Sequence, residues 1–311
     1  MSVRATYHCS PPFAQPGPEW HRVPDLTETD VWDVLLRGAD VVVNLAALAH
    51  QTGRAGEGRW PEFRRINVEG TAALARGCGR AGTRRLVFLS SIAAAQGDKA
   101  GLAGSPERPG VETDYGRSKL EAERAIEREL ASTATDWCVL RPPLVFGPGN
   151  PGNMRRLLRL VKSGIPLPFA RIDNLRSFIF VENLVDAVLT VVRHQHIIRS
   201  TFSVTDGTDL STPALVRALG EFAGKPARLL PVPVALLRVL ARGADVAGSL
   251  IGRSLAFDSY SVARLTESLW VDGSLFRNHF AWTPPFRCGF ALKATCSQTI
   301  PAVRDTAESE R

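Results

Sequence analysis

The sequence predicts an α/β protein built on a mostly parallel sheet. Continuous apolar runs at 40–47 and 85–90 have the length and composition of strands that are covered on both faces. Segments with helical periodicity, 61–81 and 114–131, follow these two runs. Strands that alternate with helices of this length indicate βαβ units, and such units place their strands parallel to one another.

The first part of the chain contributes shorter elements. Residues 3–7 and 20–23 are strand candidates separated by a proline-rich turn. Thr27, with Asp30 three residues later, predicts the N-cap of a helix that ends at Gly38. A further strand at 137–140 follows the helix at 114–131. Together these elements predict a sheet domain over residues 1–150.

Beyond Phe146-Gly-Pro-Gly149 the pattern changes, because helices dominate and short strands are predicted only at 178–180 and 201–204. We therefore expect a smaller, helix-rich second domain over residues 151–311 that is interleaved with the sheet. Its last thirty or so residues, from about Trp282 onwards, are expected to dock weakly or fray. The predicted helices of this part are 154–162, 181–193, 213–222 and 233–250.

The composition excludes several classes of function. The net charge is +7, but the basic residues are nearly all Arg, scattered without a basic run or interleaved aromatics, so nucleic acid is not an expected partner. Five cysteines without Cys-x-x-Cys spacing and six dispersed histidines predict neither a disulfide framework nor a metal site. Since no apolar stretch is long and uninterrupted enough to span a membrane, we expect a cytoplasmic protein without a membrane partner.

Tyr115 and Lys119 are the most informative pair of residues. Four positions apart on a helix, they project from one face, where the ammonium would lower the pKa of the phenol from its usual value of about 10. A tyrosine tuned in this way can donate and accept a proton near neutrality. Ser91 ends the preceding strand, where an open α/β sheet meets its ligands, and can hydrogen-bond the same substrate oxygen. A solvated surface pair is the alternative interpretation.

Six segments occur in a characteristic order along the chain. They are Val43-Asn-Leu-Ala-Ala47, Asn67-Val-Glu-Gly-Thr71, Leu89-Ser-Ser91, Tyr115-Gly-Arg-Ser-Lys119-Leu-Glu-Ala-Glu123, Leu140-Arg-Pro-Pro-Leu-Val-Phe-Gly-Pro-Gly149 and Arg176-Ser-Phe-Ile-Phe-Val-Glu-Asn-Leu-Val-Asp-Ala187. Together they resemble the extended short-chain dehydrogenase/reductases, in particular the NAD-dependent epimerase/dehydratase family that acts on nucleotide sugars. The resemblance implies a Rossmann-like, doubly wound parallel sheet with a substrate domain after it.

The resemblance also implies a role for each matching residue. Tyr115 would be the acid/base, Lys119 would lower its pKa and hold the nicotinamide ribose, and Ser91 would align the substrate hydroxyl. The residues implied to bind NAD or NADP are Leu45, Ala46, Ala47, Asn67, Tyr115, Lys119 and Pro143. The residues implied to bind the UDP-sugar are Ser91, Asn153, Arg176 and, as a second candidate for the diphosphate, Arg264.

A guanidinium fork can grip two oxygens of a diphosphate, which agrees with the role implied for Arg176. The alternative for Arg176 and for Arg264 is a surface cation whose stem packs on apolar neighbours.

Members of the family catalyse several reactions, and the sequence disfavours one of them. A sugar 4,6-dehydratase of the family usually carries an Asp-Glu pair just after the active hydroxyl, whereas Ile92-Ala-Ala-Ala95 follows Ser91 here, so dehydration is disfavoured. The two reactions that stay open are 4-epimerisation and the reduction of a 4-keto sugar. Segments 164–168, 174–178 and 264–272 resemble UDP-N-acetylquinovosamine dehydrogenases, which favours the reductase slightly. The resemblance also implies a homodimer through helices 61–82 and 114–131.

One part of the family pattern is missing, because no Gly-x-x-Gly-x-x-Gly follows a strand near the start of the sequence. In the family, this turn leads into the helix N-terminus that binds the pyrophosphate. Residues 3–7 match the second strand of the family, so we expect a sheet truncated at its first strand and little or no NAD or NADP binding. Three interpretations stay open: a start codon assigned too far downstream, a non-catalytic remnant, and a sugar-nucleotide-binding protein without cofactor binding.

Overall fold

The computed structural model describes residues 2–9, 17–48, 58–95, 113–150, 153–250 and 258–297. The chain forms two compact units. The described residues up to Arg141, together with Val188–Ser203, form the first unit. Pro142–Ala187 and the described residues from Val204 onwards form the second unit.

The first unit contains two parallel sheets. Strands β1 (Arg4–Tyr7) and β2 (Glu19–Arg22) pair in parallel, with Ala5 opposite Trp20. The larger sheet has four parallel strands, which in spatial order are β3 (Val41–Asn44), β4 (Arg85–Leu89), β5 (Asp136–Arg141) and β8 (Arg199–Ser203). Its register places Val43 opposite Val87, and Val87 opposite Cys138. These strands and their helical connections confirm the predicted α/β class.

Within the described part of the chain, no strand pairing joins the two-stranded sheet to the four-stranded sheet. Strand β3 is therefore an edge strand of the larger sheet. Val41, Val42 and Val43 are accordingly only partly buried, whereas every residue of β5 is buried. The apolar run at 40–47 had instead predicted a strand that is covered on both faces.

Helices connect the strands of the first unit. They are α1 (Thr29–Leu35), α2 (Trp60–Phe63), α3 (Gly70–Ala81), α4 (Ile92–Ala95) and α5 (Asp114–Leu130). A π-helical turn, Arg64–Glu69, separates α2 from α3, so the single helix predicted at 61–81 is interrupted. The predicted N-cap was wrong: Glu28 precedes α1, and both the amide and the hydroxyl of Thr27 donate to Asp25 Oδ1, at 2.9 and 2.8 Å.

The core of the first unit lies between β4, α3 and α5. Leu86 and Phe88 of β4, with Ile126 and Leu130 of α5, are at most 1% exposed. Burying an apolar side chain of this size stabilises a fold by about 1.5–3 kcal/mol. This packing fixes α5 against the sheet and thereby fixes the position of the residues near its start.

The second unit is mainly helical. Strands β6 (Leu144–Phe146) and β7 (Phe178–Phe180) pair in parallel. The helices of this part of the chain are α6 (Asn153–Ser163), α7 (Val181–Arg193, whose last residues belong to the first unit), α8 (Thr212–Phe222), α9 (Val234–Leu250), α10 (Ser259–Thr266), α11 (Ser274–Phe280) and α12 (Cys288–Ser297). None of the helices in the described ranges is both long and apolar enough to cross a membrane.

The carboxyl-terminal elements pack closely, so the prediction that residues from about Trp282 onwards dock weakly or fray was wrong for residues 282–297. Trp282 Nε1 donates to Asp186 Oδ2 at 2.7 Å. Ala291 and Leu292 of α12 are at most 3% exposed and join the main apolar cluster of the second unit. Residues 298–311 lie outside the described residues.

A buried arginine joins the large sheet to the end of α7. Arg85 is fully buried and pairs with Asp136 through two hydrogen bonds of 2.7 and 2.8 Å. It also donates to the carbonyl oxygens of Val191 and His194, at 2.7 and 2.8 Å. These bonds give the carbonyls at the end of α7 a buried cationic donor, where a helix lacks donors of its own.

Candidate active site

The first turn of α5 brings Tyr115 towards the end of β4. Thr113 caps this helix, because its Oγ1 accepts a hydrogen bond from the Gly116 amide at 3.0 Å. A Cβ atom at Gly116 would lie 2.6 Å from the carbonyl oxygen of Ala93. Only glycine therefore lets the first turn of α5 approach the backbone that follows Ser91, which explains why glycine follows Tyr115.

Tyr115 and Ser91 meet in the structure. Their side chains are hydrogen-bonded. The ring of Tyr115 packs edge-on against Phe63 of α2, with ring centroids 6.3 Å apart. Burial raises the pKa of Tyr115, and the hydrogen bond with Ser91 lowers it by a smaller amount. We had expected Lys119 to lower this pKa; the pKa is instead raised, because burial is the largest cause of the shift, and the phenol is protonated at neutral pH.

Lys119 lies one helical turn after Tyr115 and is 3% exposed. Its Nζ donates to the carbonyl oxygen of Leu89 at 2.9 Å and lies 4.7 Å from the centroid of the Phe88 ring. Burial lowers the pKa of Lys119 to about 8, and the negative charge of Glu123 opposes this shift. The ammonium is therefore held at the carboxyl end of β4, where Ser91 also begins the connection to α4.

Glu123 forms a buried ion pair that sequence reasoning did not assign. Its Oε1 accepts from Arg141 Nε at 3.0 Å, and its Oε2 accepts from Arg141 Nη2. Ser90 Oγ also donates to Oε1. All three side chains are buried. The sequence signal that could have identified Glu123 is its spacing, because it follows Lys119 by four residues on the same helix.

Asn67 lies within the π-helical turn and is 1% exposed. Its Oδ1 accepts from the Leu48 amide at 2.7 Å, while its Nδ2 donates to the Leu48 carbonyl at 3.2 Å and to Ser118 Oγ at 2.9 Å. The Ser118 hydroxyl in turn donates to the carbonyl of Tyr115 at 2.8 Å. A π-helical turn often marks a functional position, and here it points an amide into the space between the segment after β3 and α5.

The segment held by Asn67 contains the three strand-end residues that the resemblance assigned to the cofactor. Leu45 and Ala46 are exposed, and Ala47 is half-buried. Asn44, at the end of β3, fixes the start of the segment: its Oδ1 accepts from the Ala46 amide at 3.1 Å, and its Nδ2 donates to Thr71 Oγ1 at 3.2 Å. Asn44 and Asn67 together hold this segment at the edge of the sheet.

The remaining candidates belong to the second unit. Arg176 Nη1 donates to the carbonyl oxygens of Arg264, in α10, and of Glu267, the latter at 3.3 Å. Burial lowers the pKa of Arg176 to about 10, and the positive charge of Arg264 contributes to this shift. Pro143 is buried just before β6, and Asn153 begins α6, although its side chain lies outside the described part of the structure.

The structure thus brings Ser91, Tyr115, Lys119 and Asn67 together in the first unit, and brings Arg176 close to Arg264 in the second. Among the described residues, no group of three or more His, Cys, Asp or Glu side chains is arranged to hold a metal ion. The chemistry available in the first unit is proton transfer by a buried phenol, next to a hydroxyl that can align a substrate oxygen.

A Tyr-x-x-x-Lys helix beside a strand-end serine, on a parallel α/β sheet, defines the short-chain dehydrogenase/reductase class of oxidoreductases. The family model described as "NAD dependent epimerase/dehydratase family" matches residues 5–203. The chain belongs to the NAD-dependent epimerase/dehydratase family, which includes nucleotide-sugar epimerases.

Individual relatives agree with this assignment. The chain is 33% identical over 285 residues to the UDP-glucose 4-epimerase of Vibrio cholerae, covering 90% of this chain and 83% of that protein. It is 25% identical over 288 residues to the N-acetyl-alpha-D-glucosaminyl-diphospho-ditrans,octacis-undecaprenol 4-epimerase of Escherichia coli O157:H7, covering 91% and 82%. The solved structure of MoeE5 in complex with UDP-glucuronic acid and NAD superposes with a TM-score of 0.67 at 21% identity, covering 93% and 88%, and shows the shared fold.

The cofactor of this family is NAD. The first unit fits its nicotinamide ribose, because it offers the buried ammonium of Lys119 and the hydroxyls of Tyr115 and Ser91. Residues 1–48 contain only two glycines, Gly17 and Gly38, and hence no Gly-rich turn for the pyrophosphate. The described residues therefore suit the reacting end of the cofactor, and no pyrophosphate-binding turn is found among them.

Proposed function

We propose that the protein is a nucleotide-sugar 4-epimerase with Tyr115 as its acid/base. The hydrogen bond between Tyr115 and Ser91, one helical turn from the buried Lys119, carries this proposal. The two relatives named above are both 4-epimerases, which supports epimerisation over simple reduction.

In the proposed reaction, Ser91 and Tyr115 both hydrogen-bond the C4 oxygen of the sugar. Tyr115 accepts the hydroxyl proton when C4 is oxidised and returns it when the C4 carbonyl is reduced from the other face. NAD, when bound, supplies the hydride acceptor for the first step and the hydride donor for the second. The ammonium of Lys119 would stabilise the tyrosinate that is needed before the first proton transfer and is regenerated by the second.

The carrier of the sugar is proposed to be UDP, with Arg176 and Arg264 as contacts of its diphosphate. Arg264 lowers the pKa of Arg176, which means that two like charges lie near each other in a partly buried place. A bound dianion would relieve this repulsion, and a guanidinium suits its paired oxygens. Asn153 would contact the nucleotide, while Pro143 and the segment 45–47, held by Asn67, would contact the cofactor. The homodimer and the cytoplasmic location also stay predictions.

A second candidate is reduction of a 4-keto sugar, and the raised pKa of Tyr115 favours it. A phenol that is protonated at neutral pH already holds the proton that a C4 ketone needs when it accepts a hydride. Epimerisation must instead begin with a tyrosinate. The two reactions therefore differ in the protonation state of Tyr115 that starts the cycle.

The full chain should be incubated with NAD+ and either UDP-glucose or UDP-N-acetylglucosamine, and separately with a UDP-4-keto sugar and NADH or NADPH. The 4-epimer, detected by NMR, would support the epimerase. Oxidation of NADH or NADPH without epimer would select the reductase. Neither product, together with calorimetric binding of UDP, would identify a sugar-nucleotide-binding protein.

Variants of two tyrosines then test the acid/base. Tyr115→Phe should lower the rate by about 10²–10⁴-fold, because it removes the proton donor and acceptor. Tyr7→Phe, which removes a phenolic hydroxyl from β1, should have the wild-type rate. UDP binding measured in each variant separates lost chemistry from lost folding. A wild-type rate in Tyr115→Phe would remove Tyr115 from the mechanism.

A further inference from the structure

The buried side chains among the described residues of helix α9 (Val234–Leu250) lie along one narrow stripe. Leu237 and Ala241 are at most 2% exposed and form a small apolar cluster with Val262 of α10. Val232, just before the helix, is partly buried against the same cluster. Most of the remaining surface of α9 faces solvent.

The exposed side of α9 is apolar. Leu236 is 48% exposed, Val239 62%, Leu240 54% and Val246 62%. At 3.6 residues per turn these four side chains fall within an arc of about 120°, on the side of the helix away from the buried stripe. Single exposed apolar residues are ordinary, but four on one arc of one helix form a continuous patch, and such patches mark interaction surfaces.

One edge of this patch is cationic. Arg238 and Arg242 are both exposed and lie side by side on the helix, between the apolar arc and the buried stripe. Residues 225–250 contain four cations, Lys225, Arg228, Arg238 and Arg242, and a single carboxylate, Asp245. Asp245 Oδ1 accepts a hydrogen bond from the Ser259 amide at 3.2 Å, which engages it with α10.

We propose that α9 binds the surface of an anionic lipid bilayer. Its apolar arc would lie at the boundary between headgroups and acyl chains, and Arg238 and Arg242 would reach the lipid phosphates. A helix with an aliphatic face and a basic, acid-poor edge has the pattern of an interfacial helix, which lies on a membrane without crossing it. This revises the expectation of no membrane partner and is independent of the proposed reaction.

The surface fits a bilayer better than a second copy of the chain. The four side chains expose on the order of a few hundred Å², whereas a standard protein interface buries about 800 Å² on each partner. The patch contains no aromatic residue of the kind that anchors protein interfaces. Its excess of positive charge would repel the same surface of another copy but attracts anionic phosphates.

Co-sedimentation of the full chain with vesicles tests the proposal. We expect binding to vesicles of phosphatidylglycerol and phosphatidylcholine in equal amounts, and binding at least about tenfold weaker to phosphatidylcholine alone. Val239→Ser combined with Leu240→Ser should weaken binding to the phosphatidylglycerol vesicles about tenfold or more, because it removes methyl groups from the face that would enter the bilayer. Arg238→Gln combined with Arg242→Gln should remove most of the preference for phosphatidylglycerol.

Leu275→Ser is the matched control, because Leu275 is 70% exposed on α11 and lies outside the patch. It should bind vesicles as the wild type does. The proposal is overturned if the wild type does not sediment with anionic vesicles at low salt, or if Leu275→Ser loses as much binding as the α9 variants. It is also overturned if Val239→Ser with Leu240→Ser converts a dimer to a monomer in analytical ultracentrifugation without changing vesicle binding. Circular dichroism and thermal unfolding establish that each variant is folded.

Discussion

Arg141 donates to both carboxylate oxygens of Glu123, with Nε 3.0 Å from Oε1, and both side chains are less than one-tenth exposed. The pair joins α5 to the end of β5, and Lys119 lies one turn earlier on α5. Glu123 is also the charge that supports the ammonium of Lys119. The position of α5 against the sheet therefore depends on a buried ion pair in addition to apolar packing.

Glu123→Gln should destabilise the first unit strongly. The glutamine has nearly the same shape but removes the negative charge that faces the buried Arg141, and removing one partner of a buried ion pair costs about 3–5 kcal/mol. Urea unfolding should therefore show a large loss in the free energy of unfolding. Glu121→Gln is the matched control, because the Glu121–Arg117 pair on the same helix is solvent-exposed and should contribute less than about 1 kcal/mol. Equal losses in the two variants would contradict the role given to Glu123.

Asn67→Leu should release the segment after β3. The substitution removes the acceptor of the Leu48 amide and the donor to Ser118, and an unpaired buried polar group costs about 1–3 kcal/mol. Hydrogen exchange should show faster exchange of the Leu48 amide, while amides of β5 keep their protection. Unchanged exchange at Leu48 would mean that Asn67 does not hold this segment.

The stability of the protein should depend on pH through Lys119. Its pKa is about 8 in the folded chain and 10.5 in the unfolded chain, so the unfolded chain binds more protons between these two values. The cost of burying the ammonium is fully present below about pH 8 and disappears as the pH rises towards 10.5. The free energy of unfolding should therefore rise over this interval, by about 3 kcal/mol in total.

Lys119→Met is the reference for that measurement, because other titrating groups are common to both proteins. The difference in unfolding free energy between wild type and variant, measured by urea unfolding, should change in favour of the wild type between pH 8 and 10.5. A difference that stays constant would show that Lys119 titrates normally. Turnover that requires the ammonium should fall as the pH rises through about 8.

Arg176→Gln should weaken UDP binding about tenfold or more, because charge-assisted hydrogen bonds to an anion contribute about 1.5–3 kcal/mol. Isothermal titration calorimetry with UDP measures the change. Arg171→Gln removes the same charge from an exposed position nearby in the sequence and should change the affinity only slightly. If both variants bind UDP as the wild type does, Arg176 is a structural residue that holds the end of α10.

Local patterns in the sequence determined a large part of this protein. The runs at 178–180 and 181–193 predicted β7 and α7 with the bounds found in the structure, because a short apolar run and helical periodicity depend on neighbours along the chain. The spacing of Tyr115 and Lys119 on one helix was predictable for the same reason. The apolar run at 85–90 placed Ser91 at a strand end in the same way.

Only the tertiary structure decided what surrounds these residues. Glu123 meets Arg141, and Asn67 meets Leu48, across 18 and 19 residues of sequence, and no local period encodes such contacts. The pKa of Tyr115 is raised and that of Lys119 is lowered because burial removes both groups from water, which their spacing cannot reveal. Residues 282–297 pack firmly for a related reason: their apolar side chains become ordered by contacts with distant helices.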